Sequence, residues 1–580
     1  MKKYKWLALI LVLPLLLSSC ADIFNFGLLS GTSSGGQFGG YFEGITPVRG
    51  EILVSTADLS GLDLEYSERS MNAVYDSIHA TRIVFSDGGT TVQGKGAEAI
   101  GSDALISAAG TYIISGSAKN ARLTVRAGAE DFVQLVLFDL SLDGKEGTAI
   151  ALESASEVLI TVEGANSLSA PLADKPSALD KETSAVLLSN VALTINGNGS
   201  LFVKARRVHG IVSRGMITIT GGDLSISSTG AGLIGESCVR IGGGKLTIAA
   251  EEEGILSGAV LADSDPSVHE AQTVGYVYIS GGTLEVTSEG DAVHTESILL
   301  IKNGTITLTT GVSLDDVKKE TADAPETLPD FWEIFESEEE NELPEFSMYS
   351  DGIYAASDVL IYGGTLMITA SNHAIFSEKS ICADGGRIYA KTLGDSICAK
   401  DAVGISDGVL ILPQCQAGIV SDDLWISGGH IYVGEAQTGV RTLGVLRMSG
   451  GVLAVAGAKE LPLTFEAAIT TGGHLIALGN GKIAREFFPS NAQGVIFCHF
   501  NTRRDGYPLS LCDSDGSVIL SLVGEVDYSC AYLSAPGIVH GNTYALSSGG
   551  YAPNSDKYGF AADSEAPIAS EPLALVTANS

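Results

Sequence analysis

The chain has 580 residues, of which 69 are acidic and 34 are basic, and its formal net charge is −35 at pH 7. This charge disfavours polyanions, so we expect no nucleic acid partner. An acidic polysaccharide could bind only through cations or through the few basic clusters, such as Arg206 with Arg207 and Arg503 with Arg504.

Residues 1–20 resemble a bacterial lipoprotein signal peptide. A charged start and an apolar stretch precede the residues Leu17, Ser18, Ser19 and Cys20. The resemblance implies cleavage before Cys20 and attachment of a diacylglyceryl group to its sulfur. The apolar run is short for a membrane-spanning helix. We therefore expect an extracytoplasmic protein, on the cell surface or the periplasmic face, which contacts the bacterial membrane through its lipid anchor only.

Residues 21–81 are predicted to be a tether and an N-terminal lead-in. The segment GLLSGTSSGGQFGG follows Cys20 closely, and its glycines and serines are typical of a flexible linker. The regular part of the chain is expected to begin at about residue 82.

Ten similar turns recur at a nearly constant interval in the middle of the chain. Seven of the nine intervals are 21 or 22 residues, and the other two are 38 and 60, which are 22 residues plus insertions of 16 and 38. Units this short bury their apolar face only against their neighbours, so the period indicates stacked coils. The first residues of the turns are Gly221, Gly243, Gly281, Asn303, Gly363, Gly385, Asp407, Gly428, Gly450 and Gly472.

Each coil has the composition of short strands. Residues 217–239, ITITGGDLSISSTGAGLIGESCV, alternate apolar and small polar residues between glycines, which indicates strands rather than helices. Three strands with their turns fit in 22 residues, whereas a propeller blade needs about 40. We predict a parallel β-helix of about 22 residues per coil over residues 82–485, with insertions at 261–275 and 313–350.

After the repeats, residues 486–550 are predicted to form a small antiparallel β module. It would cover the last coil, whose open edge would otherwise pair with other chains. Residues 551–580 are rich in proline, serine and alanine, and we expect them to be disordered.

A second signature lies about ten residues after each turn, where a polar residue precedes a small one and an aliphatic one. With the coils in register, the first members of this signature form a vertical ladder. Strict alternation would place them on the inner face, so they reach solvent only if the chain turns at the small residue. The middle of the ladder comprises Glu253, Asp291, Asp351, His373 and Asp395.

Carboxylates stacked at about 4.8 Å repel one another by roughly 1 kcal/mol per pair in water, and by more when buried. A hard cation such as calcium could bridge them. Alternatively, some carboxylates are protonated or accept hydrogen bonds from turn amides. The candidate metal ligands are Glu253, Asp291, Asp351 and Asp395.

Several segments together resemble a family of carbohydrate-binding, calcium-associated β-helix proteins of bacterial surfaces. They are TYIISG, EDFVQLVLFDLSL, the EGI and DGI column, the ISGGTL turns and the ending that begins with APG, and they span about residues 82–550. The resemblance implies a noncatalytic right-handed parallel β-helix that binds calcium at the acidic positions. It also implies binding to a plant-type polysaccharide such as polygalacturonate or cellulose. Two coils carry histidine instead of the acidic residue.

Catalysis has to be weighed because many β-helices are polysaccharide lyases or hydrolases. A lyase needs a base beside the metal, and Arg441 lies several coils from the acidic ladder in sequence. His373 could act as a base. We favour a noncatalytic carbohydrate-binding surface lipoprotein. The alternatives are a polysaccharide lyase or hydrolase on the same fold, or an adhesin or envelope spacer without glycan specificity.

Aromatic side chains are the candidate sugar contacts, because aromatic rings stack on sugar faces. The large insertion is rich in them, although its rings could equally anchor the loop to the side of the β-helix. The residues selected are Trp332, Tyr362, Trp425 and Tyr432.

Overall fold

The computed structural model describes residues 39–51, 57–170, 184–206, 208–258, 274–311, 350–481 and 493–578. It divides into two units, Met1–Glu43 and Gly44–Ser580. The described part of the first unit contains one 3₁₀ turn, Gly39–Tyr41. Cys20, Trp332 and most of both predicted insertions lie outside the described residues.

In the part that the structure describes, the second unit is almost entirely β-structure, with one short helix at Glu68–Met71. Its strands follow the alternation of branched apolar and small polar residues, interrupted by glycine turns. Up to the first insertion the strands are Thr81–Ser86, Thr91–Gln93, Ala97–Ile100, Asp103–Ile106, Gly110–Ala121, Leu123–Arg126, Phe132–Gly144, Ile150–Ser154, Glu157–Glu163, Ala165–Ser169, Ala185–Ser189, Leu193–Gly197, Ser200–Ala205, His209–Ser213, Met216–Ile219, Asp223–Ser228, Leu233–Gly235, Cys238–Ile241, Lys245–Ala250 and Ile255–Ser257. The following coils contain Tyr276–Ile279, Thr283–Ser288, Val293–Thr295, Leu299–Ile301, Thr305–Thr310, Ile353–Ala355, Val359–Ile361, Thr365–Ala370, Ile375–Ser377, Ser380–Thr392, Ile397–Ala399, Ala402–Ser421, Asp423–Ile426, His430–Thr442, Val445–Ala458, Leu463–Thr464 and Ala467–Gly479.

These strands form a parallel β-helix, as predicted. Each coil contributes to three faces, which we call sheet 1, sheet 2 and sheet 3. Sheet 1 contains Val293–Thr295, sheet 2 contains Leu299–Ile301 and sheet 3 contains Thr305–Thr310, and each strand pairs in parallel with its equivalents in the adjacent coils.

The core consists of aliphatic columns inside the coils. In sheet 3, Leu284 lies opposite Ile306, which lies opposite Leu366, and each of these side chains is at most 1% exposed. Burying one such side chain stabilises the fold by about 1.5–3 kcal/mol. Because equivalent positions repeat along the stack, this gain recurs in each coil and keeps the coils in register.

The double-glycine turns link sheet 2 to sheet 3. Gly364 has φ +87°, and a Cβ at this position would lie 3.0 Å from the carbonyl oxygen of Gly304 in the preceding coil. Glycine is needed there for both its backbone angle and its lack of a side chain.

The C-terminal region covers the last coil with antiparallel strands. Ala467–Gly479 pairs antiparallel with Tyr528–Ser534, which also pairs with Val495–Arg503. A separate five-stranded antiparallel sheet has the order Ala561–Ser564, Val518–Val523, Pro508–Cys512, Thr543–Ser548 and Glu571–Thr577. The predicted antiparallel module is therefore present, but it extends past residue 550.

The expectation that residues 551–580 are disordered is wrong for the described residues 551–578. Two segments of this tail are the edge strands of the five-stranded sheet, Ala561–Ser564 and Glu571–Thr577. The apolar residues of the second segment, PLALV, support a strand, whereas its overall proline and serine content suggested a linker.

The described residues 48–51 and 57–72 of the lead-in lie along the outside of the β-helix, and we call them the strap. The amide of Gly50 donates to the carbonyl of Ser406 at 2.7 Å, and Arg240 Nη1 donates to the carbonyl of Asp63 at 2.9 Å. Asn196 Nδ2 donates to the carbonyl of Ser70 at 3.2 Å. The strap therefore runs from later coils back to earlier ones.

Among the described residues, none of the helices has the length and apolar character needed to cross a bilayer.

Candidate functional site

The predicted ladder is present on successive coils beside sheet 1. The aliphatic residues that follow its members pair in register from coil to coil, in the order Ile255, Val293, Ile353, Ile375 and Ile397. Backbone hydrogen bonds join the turns directly, since the amide of Gly352 donates to the carbonyl of His373 at 2.9 Å. The polar ladder, by which we mean Glu253, Asp291, Asp351, His373 and Asp395, is thus one continuous stripe.

A tight turn at the small residue separates the ladder from the core. A Cβ on Gly352 would lie 2.5 Å from Ile368 Cγ2 and 2.6 Å from the carbonyl oxygen of Ala374. Only a small residue fits this position. The bend at Gly352 turns the side chain of Asp351 away from the core, where strict alternation of side chains would place it. Asp351 and Asp395 are nonetheless only 7% exposed, so much of the ladder is buried in a polar seam rather than displayed to solvent.

Asp291, on the coil that precedes the coil of Asp351, contacts an imidazole and a backbone amide. Its Oδ2 lies 2.9 Å from His294 Nδ1, and its Oδ1 accepts a hydrogen bond of 2.8 Å from the amide of Asp351. Burial lowers the pKa of His294, but hydrogen bonds to Asp291 and Glu296 outweigh burial and raise this pKa to about 9. His294 is therefore an imidazolium at neutral pH.

Asp351 is the most heavily hydrogen-bonded member of the ladder. Its Oδ1 accepts from Asn372 Nδ2 at 2.8 Å and from the amide of His373 at 3.0 Å, and it lies 2.9 Å from His373 Nδ1. Burial lowers the pKa of His373, but the contacts with Asp351 and Cys398 outweigh burial and raise it to about 10. The carboxylate and the imidazolium neutralise each other inside the seam.

Asp395 receives its counter-charge from Arg441, which sequence reasoning had placed too far away. Arg441 Nη2 lies 3.0 Å from Asp395 Oδ2. The guanidinium reaches across an intervening coil, because Arg441 pairs with Val420, which pairs with Cys398 of the Asp395 coil. The other oxygen of Asp395, Oδ1, is buried and has no hydrogen-bond partner.

A stack of aromatic rings lies beside the ladder, and sequence reasoning missed it. The rings of His294 and Tyr354 are stacked with centroids 4.4 Å apart, and those of Tyr354 and Phe376 are 5.6 Å apart. We call these three residues the ring stack. They follow the paired residues Val293, Ile353 and Ile375, so the same 22-residue spacing would have revealed them. Tyr354 lies between the other two rings, so stacking covers both of its faces.

The residues present around Asp351 and Asp395 do not fit calcium. Calcium takes six to eight oxygen ligands, but these two carboxylates contact imidazole, amide and guanidinium nitrogens. Repulsion along this part of the ladder is relieved by hydrogen bonds, as for the amide of His373 on Asp351, and by the protein cations His373 and Arg441, which the sequence analysis did not foresee. Burial raises the pKa of Glu253, and nearby Asp291 and Glu252 add to that rise. A calcium ion held by Glu253 and Asp291 stays a prediction.

Of the four aromatic residues predicted to contact sugar, the three that the structure describes do not form one exposed surface. Tyr432 is 1% exposed, its hydroxyl donates to Glu525 at 2.6 Å, and its ring stacks on Tyr558 at 4.5 Å. Its proposed role is wrong, because the C-terminal region covers it. Tyr362 is 40% exposed beside a glycine turn, and Trp425 is half-buried in sheet 2, whereas Trp332 lies outside the described residues.

The fold and the site define an all-β solenoid of the parallel β-helix class with a polar seam along one face. A family model described as "Carbohydrate-binding domain-containing protein" matches residues 100–396 and 334–459, and the chain belongs to this family.

A solved structure titled as the polysaccharide lyase-like protein from C. thermocellum, gadolinium derivative, is similar at 27% identity. The similarity covers 40% of this chain and 92% of that one, with a TM-score of 0.35. No curated protein matches the chain.

Proposed function

We propose that the protein is a noncatalytic carbohydrate-binding protein that contacts a long extracellular polysaccharide with the face carrying the polar ladder and the ring stack. Membership of the carbohydrate-binding family supports the ligand class. The observation that carries the assignment to this face is the in-register repeat of polar and aromatic side chains. Such a repeat, at about 4.8 Å per coil, suits successive units of an extended chain.

The electrostatics of the ladder support binding rather than catalysis. An imidazole whose pKa is raised to about 9 or 10, as in His294 and His373, is protonated at neutral pH and cannot accept a proton as a general base. Arg441 is engaged by Asp395. The bases considered from the sequence are therefore occupied in the described part of the site.

The net charge of −35 favours a neutral glycan, such as cellulose among the plant cell-wall polysaccharides. Glu296 and Glu378 flank the ring stack, and carboxylates accept hydrogen bonds from sugar hydroxyls. A polyuronate would be repelled by the net charge of the protein unless cations intervened. Calcium at Glu253 and Asp291 would supply such a cation, so its effect on binding distinguishes the two glycan types.

Attachment to the membrane by a lipid on Cys20 is part of the proposal, and so is the extracytoplasmic location. The support is the similarity of residues 1–20 to a lipoprotein signal peptide. Incorporation of labelled palmitate in bacterial cells that express the full chain tests it. Wild type should be labelled and Cys20→Ser should not, and labelling of Cys20→Ser would contradict the anchor.

A binding assay with cellulose, xylan and polygalacturonate tests the function directly. We expect the protein to be retained by cellulose, and Tyr354→Ala to weaken retention by about tenfold, as loss of one ring at a binding surface commonly does. Met367→Ala, on sheet 3, is the matched control and should bind normally. Each assay is repeated with calcium and with a chelator. Equal binding of both variants and wild type would remove this face from the proposal, and release of unsaturated or reducing sugars would establish an enzyme.

A further inference from the structure

We propose that His373, Asp395 and Cys398 form a binding site for a borderline divalent metal ion of the zinc type. The three residues come from two adjacent coils, because Ile375 pairs with Ile397 and Phe376 pairs with Cys398. One ligand atom from each residue, a ring nitrogen, a carboxylate oxygen and a sulfur, lies within 4.8 Å of the other two. This site goes beyond carbohydrate binding and does not depend on it.

The buried Oδ1 of Asp395 is independent evidence that a binding partner is missing at this site. Asp395 is 7% exposed, Arg441 binds its Oδ2, and its Oδ1 has no hydrogen-bond partner. An unpartnered buried carboxylate oxygen is costly. A metal ion bound to Oδ1 would supply the missing interaction while the guanidinium remained on Oδ2.

The imidazole of His373 is already oriented as metal-binding histidines commonly are. Its Nδ1 lies 2.9 Å from Asp351 Oδ1, which leaves Nε2 as the nitrogen for the ion. A carboxylate on the second ring nitrogen fixes the orientation of a ligating histidine and increases its basicity. Asp351 would thus be a positioning residue and not a ligand.

The donor set selects the kind of ion. Imidazole nitrogen, thiolate sulfur and carboxylate oxygen are the ligands of zinc and of cobalt in zinc sites, whereas calcium requires oxygens. Bond lengths of about 2.0–2.3 Å place tetrahedral ligands roughly 3.3–3.8 Å apart, so the ligand atoms, which lie within 4.8 Å of one another, have to converge by no more than about 1.5 Å. Binding displaces the proton on His373 Nε2 and the thiol proton of Cys398, and it leaves a fourth position for water.

Cobalt binding to the purified full chain, kept reduced, tests the site with a readout independent of glycan. Addition of Co²⁺ should produce thiolate-to-cobalt absorption that saturates at one ion per chain. Cys398→Ser should abolish this absorption, and Asp395→Asn should weaken binding by about tenfold or more. Cys382→Ser is the matched control, because Cys382 is also a half-buried cysteine but lies in sheet 2, opposite Leu360.

Three outcomes would overturn the proposal. They are absence of the absorption in wild type, its persistence in Cys398→Ser, and unchanged affinity in Asp395→Asn. Excess Ca²⁺ should leave the absorption unchanged, and its displacement of cobalt would also contradict the assigned donor set. Absence of the absorption in wild type refutes the site even if a variant does not fold. The protein can bind cobalt without binding a glycan. A negative result in the glycan assay therefore refutes the proposed function and leaves the metal site untouched, and the reverse also holds.

Discussion

Arg441 binds Asp395 across an intervening coil, with Nη2 3.0 Å from Oδ2. The carboxylate is 7% exposed, so loss of the guanidinium would leave a buried charge without its main counter-charge. The contact joins coils that are not adjacent and thereby supplements the stacking of neighbours.

We expect Arg441→Met to lower the free energy of unfolding by about 1–2 kcal/mol, because a hydrogen bond to a buried charge is lost while the aliphatic part of the side chain is retained. Thermal unfolding followed by circular dichroism measures the effect. Arg447→Met is the matched control at an exposed position of sheet 2 and should change stability little. Equal midpoints for both variants would show that the pair contributes nothing.

A pH dependence follows from His294. Its folded pKa is raised to about 9 from 6.5, so the charged form is favoured in the folded state. The resulting stabilisation is fully present below about pH 6.5 and is lost as the pH rises through about 9. The difference in unfolding midpoint between wild type and His294→Gln should therefore shrink from pH 6 to roughly pH 9.5. His79→Gln, where the imidazole is 82% exposed, is the control, and a difference that stays constant with pH would contradict the assignment.

The tight turns beside the ladder predict a steric effect. A Cβ on Gly254 would lie 2.2 Å from Val286 Cγ1 and 2.6 Å from the carbonyl oxygen of Ala292. Gly254→Ala should destabilise the protein by about 1–3 kcal/mol, since the close-packed neighbours have to move. Gly88→Ala, whose Cβ would meet only Ser86 Oγ at 3.8 Å, should change stability by less than about 0.5 kcal/mol. Similar urea midpoints for the two variants would be evidence against this packing.

The strap depends on Arg240, whose side chain is 4% exposed. The guanidinium donates to the carbonyls of Asp63 and Glu65 at 2.9 and 3.0 Å, and it lies 5.1 Å from the ring centroid of Tyr66. Arg240→Met should release the strap and accelerate its cleavage in limited proteolysis several-fold, because local opening governs cleavage.

Arg447→Met again serves as the control for the strap. Cleavage sites identified by mass spectrometry should fall between residues 57 and 72 in Arg240→Met. If the cleavage pattern of that variant equals that of the control, Arg240 does not hold the strap in place.

The fold and the alignment of the ladder residues on successive coils were predictable because both follow from the 22-residue period. In a parallel β-helix, residues one period apart lie on adjacent coils, so the spacing from Asp351 to His373 and Asp395 determined their stacking. The same spacing would have revealed Tyr354 and Phe376. The prediction did not compare from coil to coil the residues that directly follow each polar, small and aliphatic signature, and therefore it missed the ring stack.

Other contacts could not be obtained from the period. Arg441 reaches Asp395 by the length of its side chain over an intervening coil, and the repeat does not specify such a contact. The strap has no periodicity, and tertiary contacts such as those with Arg240, Asn196 and Ser406 define its path. The strand Glu571–Thr577 lies in a segment whose average composition resembles a linker, although the sheet accepts its short apolar run.

The position of the strap has a consequence for the order of folding. Ser427 Oγ donates to the carbonyl of Glu51, a contact between residues 376 positions apart. Coils can stack as soon as each adjoining pair has been synthesised, but this contact has to wait until most of the polypeptide has emerged. Closing so large a loop is entropically costly and slow. The end of the strap at Glu51 should therefore dock late, after the coils that it contacts have assembled.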